Sequence, residues 1–351
     1  MSSGHETVHV VVPDGIDDPR RPSGGNIYDR RVCDGLRARG WTVHENAVGR
    51  WPDGDQAAHD RLARVMTAVP DGATVLVDGL VGSAAPSELA AAARRLRVVL
   101  LVHLPLGVRG DDAARAAERA ALRCAAAVVT PSRWTRSWLL GRYGLPGTAV
   151  HVAFPGVAAA PLAAGTAGGG RLLCVAAVTQ LKGHDLLVAA LASVADLSWR
   201  CTCVGSLDVD PGFAQAVHHQ AGAAGIGDRV VFTGPLADDD LRRTYADADL
   251  LVLGSRTESW GIVAAEALAR GLPVLGPDVG GLPEALGAAT DGPAPGLLVP
   301  PDDAAALGGG LRRWLTDVPL RHAWRTAAQE RRESLPTWDD TVQKVASLLH
   351  G

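Results

Sequence analysis

The chain has 351 residues, a formal net charge of −4, 47% hydrophobic residues and 21% charged ones. That length exceeds one average domain and predicts about two, each large enough for its own core. The near balance of charge leaves no electrostatic footprint for nucleic acid or for an anionic membrane as the main partner.

The cysteines Cys33, Cys124, Cys174, Cys201 and Cys203 are odd in number and form no CxxC pair, which predicts reduced thiols and a cytoplasmic location. The opening stretch MSSGHETVHVVVP has no basic flank, and no apolar run approaches membrane-spanning length. A signal peptide and a spanning helix are therefore not expected.

In chain order, VHVVVP, GGNIYDRRVCDGLRARG, TVHENAV, TVLVDG, PSELAAAARRL, RVVLLVH, AAVVT and SRWTRSWLLGRYG alternate between strand-like and helical patterns. Repeated βαβ implies a parallel sheet covered on both faces. Ligands of such sheets sit at the carboxyl ends of the strands. Gly24, Gly25 and Asn26 open the first helix, and paired glycines there let backbone approach an anion. Asp78 and His103 each end a strand at the same edge; Asp78 is expected either to orient an acceptor hydroxyl or to cap a helix. Ser132, Arg133 and Arg136 open another helix, either facing an anion or simply capped and solvated.

Residues 158–170, AAAPLAAGTAGGG, are low in complexity and read as a linker. A second series follows: RLLCVAAV, GHDLLVAALASV, WRCTCVG, RVVFTG, DDLRRTYADA, DLLVLGS, LPVLGP and GLLVP. The expected domains are 1–160 and 170–335, with a final helix over 336–351 set off by Pro336. No GxGxxG follows any predicted strand, which argues against a nicotinamide dehydrogenase. Cys201 and Cys203 share a strand face without a second ligand pair, so structural zinc is not expected. Asp208 and Asp210 form a DxD in a loop before Pro211, and His218 and His219 are adjacent on a helix and point to different sides. No metal site is expected from either.

Glu258 and Glu266 bracket ESWGIVAAE, between the apolar run ADLLVLGS and the glycine closing GIVAAEALARG. The pattern predicts a buried strand over 248–255 and a helix over 261–271. Trp260, Gly261 and Ile262 fall where the first helical N–H groups lack intrahelical partners, a start that suits a phosphate. The flanking carboxylates repel a phosphate and suit hydroxyls on either side of it, one for each sugar of a nucleotide sugar.

The whole stretch ADLLVLGSRTESWGIVAAEALARGLPVLGPDVGGLPEAL resembles the signature of the retaining family-four glycosyltransferases, whose glutamate pair has seven residues between its members. The resemblance implies a GT-B fold, two Rossmann-like domains facing a cleft, with the last helix crossing back to the N-terminal domain near Trp338. It implies retaining hexosyl transfer from a UDP- or GDP-sugar donor to a hydroxyl acceptor, with no cofactor and no divalent metal. Glu258 would hold the transferred sugar, Glu266 the ribose, and Lys182 the diphosphate and leaving group. Gly24 and Gly25 would lie beside the donor phosphates together with Trp260, Gly261 and Ile262, while His103 would contact the transferred sugar or its acceptor. Asp78 and Asn26 are the candidate acceptor contacts. One departure stands out: the arginine that the family places five residues before the lysine is Ala177 here. A nucleotide-sugar epimerase or hydrolase of similar fold, and a non-catalytic nucleotide-sugar binding protein, are the competing expectations.

Overall fold

The computed structural model describes residues 6–52, 54–108, 110–287 and 294–350. The chain divides into two compact units. The first comprises the residues up to Asp17, Gly24–Gly156 and the chain from Pro336 onward; the second comprises Asp18–Ser23 and Val157–Leu335.

In the first unit the elements follow one another as β1 (Thr7–Val12), α1 (Gly24–Ala38), β2 (Thr42–Ala47), α2 (Gln56–Ala68), β3 (Thr74–Asp78), α3 (Gly79–Ala84) and α4 (Pro86–Ala92). Then come β4 (Arg97–Leu101), α5 (Asp112–Cys124), β5 (Ala127–Thr130), α6 (Arg133–Tyr143) and β6 (Val150–Val152). The strands form one parallel sheet in the order β2-β1-β3-β4-β5-β6. Apart from the edge strand β2, both faces are buried, because successive side chains of each nearly continuous apolar run point to opposite faces. Val11, Val77, Val98 and Leu100 face one core, and Val10, Val99, Leu101 and Val129 face the other.

The second unit runs β7 (Arg171–Val175), α7 (His184–Ala192), β8 (Arg200–Val204), α8 (Pro211–Ala223), β9 (Val230–Gly234), α9 (Asp238–Ala246) and β10 (Leu250–Val252). It continues with α10 (Ile262–Leu268), β11 (Val274–Pro277), α11 (Leu282–Leu286), β12 (Gly296–Val299), α12 (Ala304–Thr316) and α13 (Val318–Arg332). Its parallel sheet has the order β12-β11-β10-β7-β8-β9. Cys174, Cys201 and Cys203 lie in its core beside Leu172 and Leu250. The expected strand over 248–255 is shorter, and the expected helix over 261–271 spans only Ile262–Leu268. The cause is local: Gly261 at φ +91° and Gly271 at φ +66° adopt left-handed backbone that ends the helix at each side.

The last helix, α14 (Trp338–Leu349), belongs to the first unit. It starts with a reciprocal cap between Thr337 and Asp340. Its apolar face packs with α1, where a Cβ on Gly35 would stand 2.3 Å from Val342. The Trp338 ring meets Tyr28 edge-on at 5.8 Å, and Arg39 pairs with Asp339 at 2.8 Å. Among the described residues no helix is long and apolar enough to cross a membrane.

Candidate active site

In the second unit the carboxyl end of β10 leads into the loop that carries Ser255, Arg256 and Glu258. Backbone contact fixes this loop against the chain before α7. A Cβ on Gly183 (φ +61°) would stand 1.9 Å from the Gly254 oxygen, so only glycine permits the approach. The Arg256 amide donates to Leu181 O at 2.8 Å, and its guanidinium reaches Gln180 O, Asp185 and Asp302. Lys182 ends a single 3-10 turn, Gln180–Lys182, ahead of α7.

Lys182 Nζ donates to Glu258 Oε1 at 2.6 Å, and Ser255 Oγ donates to the same oxygen at 2.7 Å. Glu258 is 7% exposed. Its other oxygen, Oε2, accepts nothing among the described residues. Its backbone is clamped from the far side by the VGG turn after β11. Gly281 N donates to Glu258 O at 2.8 Å, and Gly280, at φ +59°, lies so close that a Cβ would be 1.8 Å from that oxygen. The GG of that stretch therefore serves Glu258 directly.

Glu266 lies one helix further along. Its Oε2 accepts from Tyr245 Oη at 2.9 Å, and Arg270 stacks 4.5 Å over the Tyr245 ring. Burial first, and then the Glu266 charge, push the Tyr245 hydroxyl well above its usual range, so it stays a donor. Trp260 is buried, Ile262 is half-buried, and Gly261 is held within reach of Leu282. Ala177 sits between β7 and the 3-10 turn, flanked by the bonds Ala176 N to Val204 O and Val178 N to Ser206 O.

In the first unit Gly24, Gly25 and Asn26 open α1, as expected. His103 follows β4, and its loop is secured by the buried Glu118, which accepts from Leu106 N and Gly107 N at 2.8 and 2.9 Å. A Cβ on Gly25 would come within 3.1 Å of His103 Cδ2, so the helix start and the imidazole are neighbours. The register of β3 against β4 sets Asp78 opposite Leu101, two residues before His103. Asp78 does cap a helix: its Oδ1 accepts from Leu80 N at 2.7 Å. Its other oxygen lies 3.5 Å from His103 Nε2.

The sequence reading missed Asp29. It projects from α1 between Tyr28 and the buried Val32 and Cys33, and its Oδ1 stands 2.8 Å from His103 Nε2. The signal was available, since helical spacing from Gly25, Val32 and Leu36 puts an aspartate on the core-facing side. Burial, and then the charge of Asp29, push the Asp78 carboxyl up to about 8. His103 is raised despite a desolvation that opposes it, because Asp29 and Asp78 favour its charged form. The three side chains bring ligand-type atoms within 4.8 Å of one another. A cation there would need both carboxylates ionised and Nε2 bare, the reverse of what burial and the Asp29 hydrogen bond impose.

The remaining candidates are structural. Ser132 caps α6 through Thr135 N, Arg136 donates to Val150 O and Gly147 O, and Arg133 lies 5.2 Å over Phe154. Asp210 caps α8 through Phe213 N, and Asp208 N donates to Ser206 Oγ. His218 and His219 border a groove of about 690 Å³ on α8 with Leu207 and Gln215, and the His218 ring lies 5.0 Å from that of Phe232. The groove shares no residue with the sites above.

Residues 7–160 match the family described as Glycosyltransferase Family 4, and residues 168–331 match Glycosyl transferases group 1. The chain is 33% identical over 181 residues to the D-inositol 3-phosphate glycosyltransferase of Corynebacterium diphtheriae, covering 50% of this chain and 40% of that protein. It is 30% identical over 203 residues to the GDP-mannose-dependent alpha-(1-6)-phosphatidylinositol monomannoside mannosyltransferase of Mycobacterium tuberculosis, covering 51% of this chain and 47% of the other. It thus spans less than half the length of either relative. The fold is that of sucrose-phosphate synthase from Thermosynechococcus elongatus, with TM-score 0.82, 21% identity, and 99% and 98% of the two chains covered. It is also that of Anabaena HepE in complex with UDP-glucose, with TM-score 0.78, 18% identity, and 99% and 100% covered. With one family matched in each half and the Glu258–Glu266 pair set on the GT-B scaffold, the chain belongs to the family-four glycosyltransferases.

Proposed function

We propose that the protein transfers a sugar from a nucleoside-diphosphate sugar to a hydroxyl acceptor, with retention at the anomeric carbon and without a divalent metal. The observation that carries this reading is Glu258: one oxygen is saturated by Lys182 and Ser255, and the other is left for a ligand hydroxyl. Glu266 stands eight residues on, with Tyr245 steadying it, as the acceptor for ribose hydroxyls. Lys182, Trp260, Gly261 and Ile262 supply the ammonium and backbone donors for the diphosphate.

In the reaction the acceptor oxygen bonds to the anomeric carbon as the bond from that carbon to the phosphate oxygen breaks. The acceptor proton passes to the departing phosphate, so no protein base is required. Lys182 and the amides stabilise charge on the leaving group, and catalysis is by positioning and electrostatics. Gly24, Gly25, Asn26 and His103 form the second set of polar groups, suited to a phosphate oxygen and to acceptor hydroxyls, with the buried Asp78 facing Leu80 N and His103. The names of the two relatives make a cyclitol phosphate or a phosphoinositide mannoside the first acceptors to try.

The test is a thermal-shift panel of UDP-, GDP-, ADP- and TDP-sugars, followed by product analysis with and without acceptor. A cognate donor at about 100 times its dissociation constant adds roughly 2.7 kcal/mol of stability. A flat panel overturns the reading. Donor turnover that needs no acceptor replaces it with a hydrolase or epimerase.

A further inference from the structure

His103 is held by one nitrogen only. Nε2 lies 2.8 Å from Asp29 Oδ1 and 3.5 Å from Asp78 Oδ2, whereas Nδ1 has no partner among the described residues. A carboxylate at 2.8 Å requires a hydrogen on Nε2, so the state of the ring is decided at Nδ1. The surroundings are closed: Asp29 and Asp78 are 4% and 3% exposed, and Asp29 Oδ2 is buried without a hydrogen-bond partner. Two ionised carboxylates in such a place repel each other and lack solvent, and a proton on Asp78 removes the conflict. The charge that remains is matched by one positive imidazolium.

We propose that Asp29 is a positioning residue which, beside a protonated Asp78, holds His103 as an imidazolium whose Nδ1–H is offered to a ligand oxygen. His103 is then a hydrogen-bond donor, not a base. The proposal deepens the glycosyltransferase reading by fixing the role of one residue in it. The other titratable groups near the set are Tyr28, whose ring stands edge-on to His103 at 5.2 Å, and Cys33, on the next turn after Asp29. Burial pushes both up, Cys33 to about 12, so neither changes charge near neutrality.

The test is an NMR titration of the histidine ring nitrogens in the ligand-free protein, with wild type, Asp29→Asn and Asp78→Asn. In wild type His103 is expected to keep hydrogen on both nitrogens at pH values where free imidazole has begun to lose one. Asp29→Asn removes the charge and retains an acceptor, and should lower the midpoint by about one pH unit or more. Asp78→Asn imitates the protonated acid and should move it much less. A bare Nδ1 in wild type at slightly acid pH overturns the proposal even if Asp29→Asn fails to fold. So does a midpoint unmoved by Asp29→Asn, or one lowered as far by Asp78→Asn. The reading needs no donor or acceptor, so it stands or falls separately from the assigned activity. In the transfer assay, loss of rate at high pH should begin at lower pH in Asp29→Asn than in wild type, a shift that a purely structural role would not produce.

Discussion

Replacing Glu258 by glutamine removes one charge and preserves the shape that the Gly280–Gly281 turn clamps. Oε1 is already committed to Lys182 and Ser255, so the carboxylate has one oxygen, Oε2, to give to a ligand. The expected loss is that of one hydrogen bond to a charged group, roughly 1.5–3 kcal/mol, or about a 10- to 150-fold fall in transfer. Binding of the bare nucleoside diphosphate should not weaken. Lys182, no longer paired with an anion at 2.6 Å, is freer to meet the diphosphate. Glu266→Ala should behave in the opposite sense, because its side chain is assigned to the ribose that the bare nucleotide retains. Titration calorimetry with UDP and GDP, alongside initial transfer rates, separates the two variants. Equal affinity losses for the bare nucleotide would refute the assignment, and so would a greater loss from the Glu258 variant.

Donor turnover should survive EDTA, since Lys182 and backbone amides meet the phosphate charge; activity lost on chelation and restored only by magnesium or manganese would revive Asp208 and Asp210. An α-linked donor should give an α-linked product, and His103→Ala should be slowed but not silent. A β-anomeric coupling in the first product by proton NMR would mean inversion and would make His103 or Asp78 the base. The Asp78 carboxyl, pushed up to about 8, keeps its proton in the folded chain where the unfolded chain has lost it. The stability it contributes is whole below the unfolded value and is lost as pH rises through about 8, and the raised His103 adds to that loss. Urea unfolding from about pH 5 to pH 8 should show wild type weakening relative to Asp78→Asn; a difference constant with pH would contradict this.

The two sheets were legible because their strands are apolar on both faces, a pattern that parallel sheets alone require over so many segments. Glu258 and Glu266 were singled out by a local spacing, and Lys182 by the family resemblance. Their mutual geometry was not legible, because the contact between Lys182 and Glu258 depends on two glycine backbones, Gly183 and Gly254, touching across 71 residues of sequence. Asp29 escaped for a related reason. An aspartate within a helical run reads as a solvated position until the fold brings His103 against it from a strand 74 residues away.

The first unit opens the sequence but is finished by its last helix. Val342, Val345 and Leu349 are buried there, in the core that includes Tyr28, Val32 and Leu36. At about 1.5–3 kcal/mol each, three such side chains approach the whole stability margin of a typical domain, roughly 5–15 kcal/mol. During synthesis all of residues 157–335 must leave the ribosome before that helix exists. At about 5–20 residues per second this interval lasts on the order of 10–40 s. The second unit has time to fold within it, while β1 to β6 wait with one apolar face of α1 uncovered and exposed to misassembly. The helix that carries Gly24, Gly25 and Asp29 is translated first and reaches its final packing last.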